Sequence, residues 1–595
     1  MHGLEDDLNG ARETGYCRDT VADGWTKTSH ASADTPLNLR IGLKQLNLEQ
    51  AEELVNAVSH PRSETYGQYW APQQILEMFA PSSDAVSDTI VWLLEAGVPR
   101  SSIALSAGKN WIKVDTTVGV AESLLDTTYG VYESSEEDFE LVACEAYSVP
   151  ADVRRHIDLV TPTIQFDTRG TTIRQRVKKR DVLSPNPRKL PGWHKNHKAE
   201  SLDNCREKEE SVEGNSYGIV EYAPQSYNHE DLNGFFSVYD NVPNDTAPIL
   251  ERFDGGYLSK ETGSGTRGKS NLDLCYAMAL VGGGVVWNLA TNNNFLDAID
   301  GSYCTFEGGD ITWDATYPHD ASSPDAYTGE PKCGTQNATH VISLSYGRNE
   351  DARPASCTAR KCTEYMKLTL MGATIMFSSG DTGVTGISGR YLNEDGSYTP
   401  RSPNYGRFAP CEFPSITSIV VTLRSPVNGT IHDREIVATR SSPGGGFSNI
   451  FALPSYQAET VASYYGHHDP GYNFSQYNNM QQVHGYPDVS LNAQSYITGI
   501  VGGFQAFTGT SASSPTFGAM ITLINGARIA AGTGPVGFIN PVLYEHREEI
   551  FNDVVEGHTS GCGTDGFTAV EGWDPASGLG TPDFVRLKKV LMRLP

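Results

Sequence analysis

The sequence predicts an α/β protein made of two unequal folded units. Three observations predict it. Between about residues 37 and 165, capped helical runs alternate with strand-like segments. Residues 166–205 then break that pattern with a basic, proline-bearing stretch. From 206 onward, short apolar runs end in glycine- and serine-rich loops, the arrangement in which the strand ends of an open parallel sheet form sites.

In the first unit, "NLEQAEELVNAV" places Asn47 three residues before Gln50, a capping-box signature, with Leu48, Ala51, Val55 and Val58 on one helical face. "APQQILEMFAP" carries Pro72 in a first helical turn, and "SDTIVWLLEAG" stops at Gly97. "SSIALS" and "WIKVDTT" alternate as strands do. Residues 1–36 are polar and patternless, which predicts disorder.

Between Arg174 and Lys198 stand nine Lys or Arg and a single acid, in a chain that is acidic elsewhere. Lys178, Lys179 and Arg180 form a basic run that suits a solvated linker, a nuclear signal or a processing-protease site. In the second unit, of about 390 residues, "HVISLSYG", "GATIMFSSGDTG" and "SIVVTL" are expected to be buried strands. After Ser511, the apolar residues Phe517, Met520, Ile521 and Ile524 keep helical spacing until Gly532.

Composition narrows the function. With 45 basic and 72 acidic side chains the formal charge is −27, which argues against nucleic acid as a partner. No apolar run reaches the roughly 18 residues of a membrane helix. The ten cysteines include no C-x-x-C pair, so a zinc ribbon is not expected. Cys357 and Cys362 enclose a short stretch and are candidates for pairing, and Cys275 reads as a buried thiol. Sequons at Asn244, Asn337, Asn428 and Asn473, with the cysteines, point to secretion, although "MHGLEDDLNG" has no signal-peptide character.

The chemistry centres on "FTGTSASSP". Ser511 opens a helix, where backbone N–H groups and the dipole favour a developing oxyanion. A serine nucleophile needs a base. None of the 15 histidines is followed by Gly-Thr, the setting of a subtilisin base, and G-x-S-x-G is absent at Ser511. Asp381-Thr382-Gly383 has no second D-T-G to form an aspartic dyad. A carboxylate base, effective in acid, is what remains.

Here the chain resembles a known family. "FTGTSASSPTFGAMITLINGARIAAGTGPVGFINPVLY", "ISLSYGRNED", "MFSSGDTG", "GGGFSNIFALPSYQ", "GYPDVSLNA" and "GWDPASGLGTPDF" together resemble the sedolisin, or serine-carboxyl, peptidases. The likeness is to fungal tripeptidyl-peptidase-like members, and "HPRSETYGQYWAPQQILEMFAPS" is similar to their activation prodomain. The resemblance implies a subtilisin-like, mostly parallel sheet flanked by helices, preceded by a smaller ferredoxin-like α/β prodomain. Together with the composition, it divides the chain into a disordered segment 1–36, a prodomain 37–165, a basic processing linker 166–205 and a peptidase domain 206–595. Peptides or proteins are the implied substrates, and the chain's own prodomain is the implied inhibitor and chaperone.

Roles follow position by position. The resemblance makes Ser511 the nucleophile and Asp381 the oxyanion-assisting carboxyl. A helical E-x-x-x-D should supply the base and its support on one face. Asp273 occupies the supporting position, but Lys269 stands where the base glutamate belongs. A Ser-Lys dyad would need a lysine starved of acidic neighbours, whereas Asp273 and Asp381 are expected nearby. Two readings therefore stand: an acid-acting peptidase with impaired or unusual catalysis, and a non-catalytic homologue that binds peptides.

The resemblance also implies one calcium ion, held by the carboxylates of Asp553 and Asp574 and the carbonyls of Val554, Val570 and Gly572. Asp488 in "GYPDVS" is expected to be structural.

Overall fold

The computed structural model describes residues 12–17, 25–164 (except 107 and 135–139) and most of 212–595, where the longest stretches outside the description are 300–331, 400–417 and 427–433. The linker, with Lys178, Lys179 and Arg180, lies outside the described residues, as do Asn244 and Asn428.

The smaller unit has an antiparallel sheet in the order Ile103–Leu105, Trp111–Thr117, Pro36–Leu43, Ile157–Thr161. The helices Ala51–Ser59 and Ser83–Glu95 lie in the chain between its first and second strands, and Val118–Leu125 between its third and fourth. This is the expected ferredoxin-like β-α-β-β-α-β connection. Leu39, Ile41, Ile112, Val114 and Val160 close its core against Leu93, Val118 and Leu125.

Three local expectations need correction. The N-terminal region holds strands: Arg12–Cys17 pairs with Ala146–Pro150, and Trp25–His30 pairs with Gly130–Ser134. Their residues are too polar to show a core-facing period, since five of the six in Trp25–His30 stay exposed and pairing is supplied by the partner strand. The capping box at Asn47 does not form. Asn47 adopts a left-handed φ of 62°, a short 3-10 turn intervenes before Ala51, and its side chain donates to the Met78 carbonyl at 2.7 Å. Cys357 and Cys362 do not bracket a loop, because both lie on the helix Ala355–Leu370. Other signals hold: Ser82 caps its helix by accepting from Ala85 N at 3.0 Å, Pro72 opens the next helix upstream, and Gly97 takes φ +86°.

Among the described residues, the larger unit is built on an eight-stranded sheet. Its order is Ile249–Arg252, Val285–Ala290, Tyr217–Tyr222, Val341–Leu344, Thr374–Ser378 and Ser418–Pro426, all parallel. Ser418–Pro426 then pairs in parallel with Val489–Asn492 and antiparallel with Glu435–Val437. Parallel strands covered on both faces read as continuous apolar runs, which is why "VISL" and "TIMFS" are buried throughout. One face packs on the helices Ser264–Val281 and Thr510–Ala530 through Leu274, Met278, Phe517 and Ile521. Phe295, Tyr365 and Leu368 pack with strand residues such as Ile342 and Phe377 in a second cluster. The strand order changes direction between Tyr217–Tyr222 and Val341–Leu344, so the C-terminal ends of those two strands form a topological switch point.

His484, in the strand Val483–Tyr486, is buried with Nε2 unpartnered among the described residues, and burial pushes its imidazole down to about 3. A histidine held neutral when folded takes up protons first in the unfolded chain, so its contribution to stability is full above about 6.5 and is lost as the pH falls toward 3. His484→Leu is expected to stabilise the protein relative to wild type by up to about 3 kcal/mol near pH 4, and by much less at pH 7.5. Thermal unfolding at the two pH values checks it, and an equal shift at both would contradict it.

Candidate active site

Ser511 lies in the first turn of the helix Thr510–Ala530 and is 1% exposed. Pro515 sits inside this helix and has no N–H for the carbonyl four residues earlier, which is that of Ser511. The Ser345 hydroxyl, just beyond the strand Val341–Leu344, donates to that carbonyl at 3.1 Å. Tyr217 donates to the Pro515 carbonyl at 2.6 Å, and Ser343 bonds Ser514 at 2.9 Å. Central strands of the sheet thus hold the nucleophile turn by side-chain hydroxyls.

Asp381 follows the strand Thr374–Ser378, and its Oδ1 accepts from Thr510 N at 2.7 Å and Thr510 Oγ1 at 3.0 Å. This fastens the carboxyl to the residue before the nucleophile. Burial pushes it above the usual aspartate range, while the Thr510 bonds oppose that shift. A carboxyl of raised pKa can stay protonated in mild acid and donate to an oxyanion.

Lys269 and Asp273 share one face of the helix Ser264–Val281, at the predicted i, i+4 spacing. Gly268 lets that helix close on the nucleophile segment, because a Cβ there would come within 2.9 Å of the Phe507 ring. Lys269 Nζ lies 3.1 Å from both carboxylate oxygens of Glu221 and 3.4 Å from Asp273 Oδ2. It also sits 3.8 Å from the centre of the Tyr346 ring. Tyr346 closes the group by donating to Glu221 Oε2 at 2.5 Å. Glu221 and Asp273 are fully buried. Burial drives the Asp273 carboxyl well up; the Lys269 ammonium pulls it down and the Glu221 carboxylate adds to the rise. Burial and Glu221 likewise push the Tyr346 phenol well up.

Asp381 is not a partner of Lys269: it serves Thr510, and Glu221 takes the place expected of it. Glu221, Tyr346 and Ser345 were missed by sequence reasoning. The available signal was an acid inside the apolar run "YGIVEY", at the C-terminal end of a buried strand.

The predicted calcium residues come together where the loop at Asp553 and Val554 meets the turn from Val570 to Asp574. Asp553 Oδ2 accepts from Gly572 N at 2.8 Å. Asp574 is fully buried and accepts from Val570, Ala576 and Ser577 backbone N–H and from the Ser577 hydroxyl. All four donors are neutral, and burial pushes this carboxyl up to about 7. The Ser577 hydroxyl lies 3.1 Å from both Val554 O and Asp574 Oδ2, so one proton serves two of the expected ligands. No cationic side chain offsets Asp574 among these partners, and carboxylate and carbonyl oxygens are the ligands a hard divalent ion takes. Val570 is not among the residues with positive φ.

Asp488 is structural, buried and accepting from Tyr544 OH at 2.8 Å. Cys275 is buried on the helix Ser264–Val281, as expected, and Asn337 and Asn473 are exposed.

The fold and this arrangement define a prodomain-bearing serine peptidase class, and comparison with known proteins agrees. Residues 23–166 match the Pro-kumamolisin activation domain. Aorsin of Aspergillus oryzae is 35% identical, covering 97% of this chain and 95% of its own length. Tripeptidyl-peptidase sed1 of Aspergillus fumigatus is 33% identical with the same coverage, and tripeptidyl-peptidase SED1 of Arthroderma otae is 31% identical over 96% of this chain and 94% of its own. Among solved structures, the Pseudomonas sedolisin (serine-carboxyl proteinase) complexed with pseudo-iodotyrostatin matches with a TM-score of 0.43 at 20% identity, over 64% of this chain and 92% of that one. The chain belongs to the sedolisin family of serine-carboxyl peptidases.

Proposed function

We propose that this protein is a secreted, acid-acting serine-carboxyl peptidase made as a proenzyme, with Ser511 as nucleophile, and that Lys269 holds its turnover far below that of a chain with glutamate there. The observation that carries this reading is the ion pairing of Lys269. Its ammonium hydrogen bonds are directed at Glu221 and Asp273. An amine so engaged has no lone pair with which to accept the serine proton. Substrates are peptides or proteins, cut as tripeptides or internally, by analogy with relatives named tripeptidyl-peptidase. Secretion is supported by the exposed sequons Asn337 and Asn473. Among the described residues no helix is long and apolar enough to cross a membrane. The same ion pairing favours a second reading, a homologue that binds peptides without cleaving them.

Steady-state cleavage near pH 4 separates the two. A missing general base is worth about 10²–10⁴ in rate, so Lys269→Glu should raise kcat/KM by that factor and Ser511→Ala should abolish it. Wild type cleaving as fast as Lys269→Glu would refute impairment. Peptide binding without cleavage by either would establish the second reading.

One calcium ion is proposed at Asp553, Val554, Val570, Gly572 and Asp574. It would neutralise the buried Asp574 charge and tie two C-terminal loops together. Saturating calcium should raise the melting temperature, by the equivalent of about 2.7 kcal/mol at a hundred times Kd, and Asp574→Asn should remove the effect. An unchanged wild-type melting temperature would refute the site.

A further inference from the structure

A helix normally satisfies each carbonyl with the N–H four residues later. For the Ser511 carbonyl that residue is Pro515, which has no N–H to give. The donor comes instead from Ser345, whose hydroxyl lies 3.1 Å from the Ser511 carbonyl oxygen. Elsewhere in the same helix, hydroxyls bond back locally: Thr516 donates to the Ala512 carbonyl at 2.7 Å and Thr522 to the Gly518 carbonyl at 2.8 Å. The bond at Ser511 differs, because it ties the turn to the sheet.

Ser345 is 2% exposed and follows the central strand Val341–Leu344. Ser343, two residues earlier, bonds Ser514, so alternate positions along this chain segment face the same helical turn. Gly518 leaves room for the neighbouring strand's Tyr217, since a Cβ there would come within 2.5 Å of the Tyr217 hydroxyl. The body of the helix is already held on the sheet by Phe517, Ile521 and Ile524. The Ser345 bond therefore acts on the first turn rather than on the packing of the helix.

Two anchors bracket the nucleophile. Asp381 Oδ1 accepts from Thr510 N at 2.7 Å, and Ser345 donates to Ser511 O. With the backbone fixed on both sides, the direction of the Ser511 hydroxyl is left to its own side-chain torsion. Burial raises the Asp273 carboxyl, and the Ser345 hydroxyl is one of the groups that oppose that rise. Ser345 thus stands between the buried Lys269 cluster and the nucleophile turn.

We propose that Ser345 is a positioning residue for Ser511: its hydroxyl sets the first turn of the nucleophile helix, and Pro515 keeps the Ser511 carbonyl available to it. This rests on the reading of Ser511 as the nucleophile. The test uses full-length Lys269→Glu as parent and follows peptide cleavage near pH 4. Added to that parent, Ser345→Ala and the similarly sized Ser345→Cys should each lower kcat about 10- to 100-fold with KM nearly unchanged. Thermal unfolding confirms that each variant is folded at the assay temperature. Adding Pro515→Ala to Ser345→Ala supplies an N–H at position 515 for the Ser511 carbonyl and should recover most of the lost kcat. Damage to packing alone would not be repaired in this way. Equal kcat for the parent and both Ser345 variants overturns the proposal, as does a loss that Pro515→Ala fails to recover. A parent that cleaves nothing overturns the reading of Ser511 itself, and the proposal with it.

Discussion

An ammonium ion taken out of water must meet opposite charge, and Lys269 meets it in Glu221 and Asp273 at the centre of the larger unit. That requirement ties together parts of the chain that are distant in sequence. Glu221 ends a central strand, Lys269 and Asp273 lie on the helix packed against the nucleophile helix, and Tyr346 follows the neighbouring strand. The cluster therefore sits at the topological switch point, where the fold places its site. Two further residues that the sequence singles out are fixed by local hydrogen bonds. Asp381 is bound to Thr510, and Ser511 begins a helix whose first turn is held by Ser345 and Tyr217.

Position 269 carries a lysine where the resemblance places a glutamate. That lysine neutralises two buried acids. The turn at Asp574 lies elsewhere in the fold and is held by Val570, Ala576 and Ser577.

Much of this was legible in the sequence. Apolar runs and helical spacing located the strands Val341–Leu344, Thr374–Ser378 and Ser418–Pro426 and the helix Thr510–Ala530, and the spacing from Lys269 to Asp273 fixed their common face. What stayed hidden depended on partners far along the chain. Glu221 looks like an odd acid in an apolar strand until the helix 48 residues later brings Lys269 against it. The strand Trp25–His30 has almost no buried face, so only its pairing reveals it. Asn47 has capping chemistry, but its left-handed backbone and the bond from its Nδ2 to the distant Met78 carbonyl leave Oδ1 out of the cap.

The central claim is that Glu221 and Lys269 exist as one buried ion pair. A double-mutant cycle on unfolding free energy, with Glu221→Gln and Lys269→Met, measures that coupling. Breaking a buried pair from either side should cost about 3–5 kcal/mol, and the double variant should cost well under the sum of the two. Single effects that add to within about 0.5 kcal/mol would show that the two side chains do not act together, and would contradict the account.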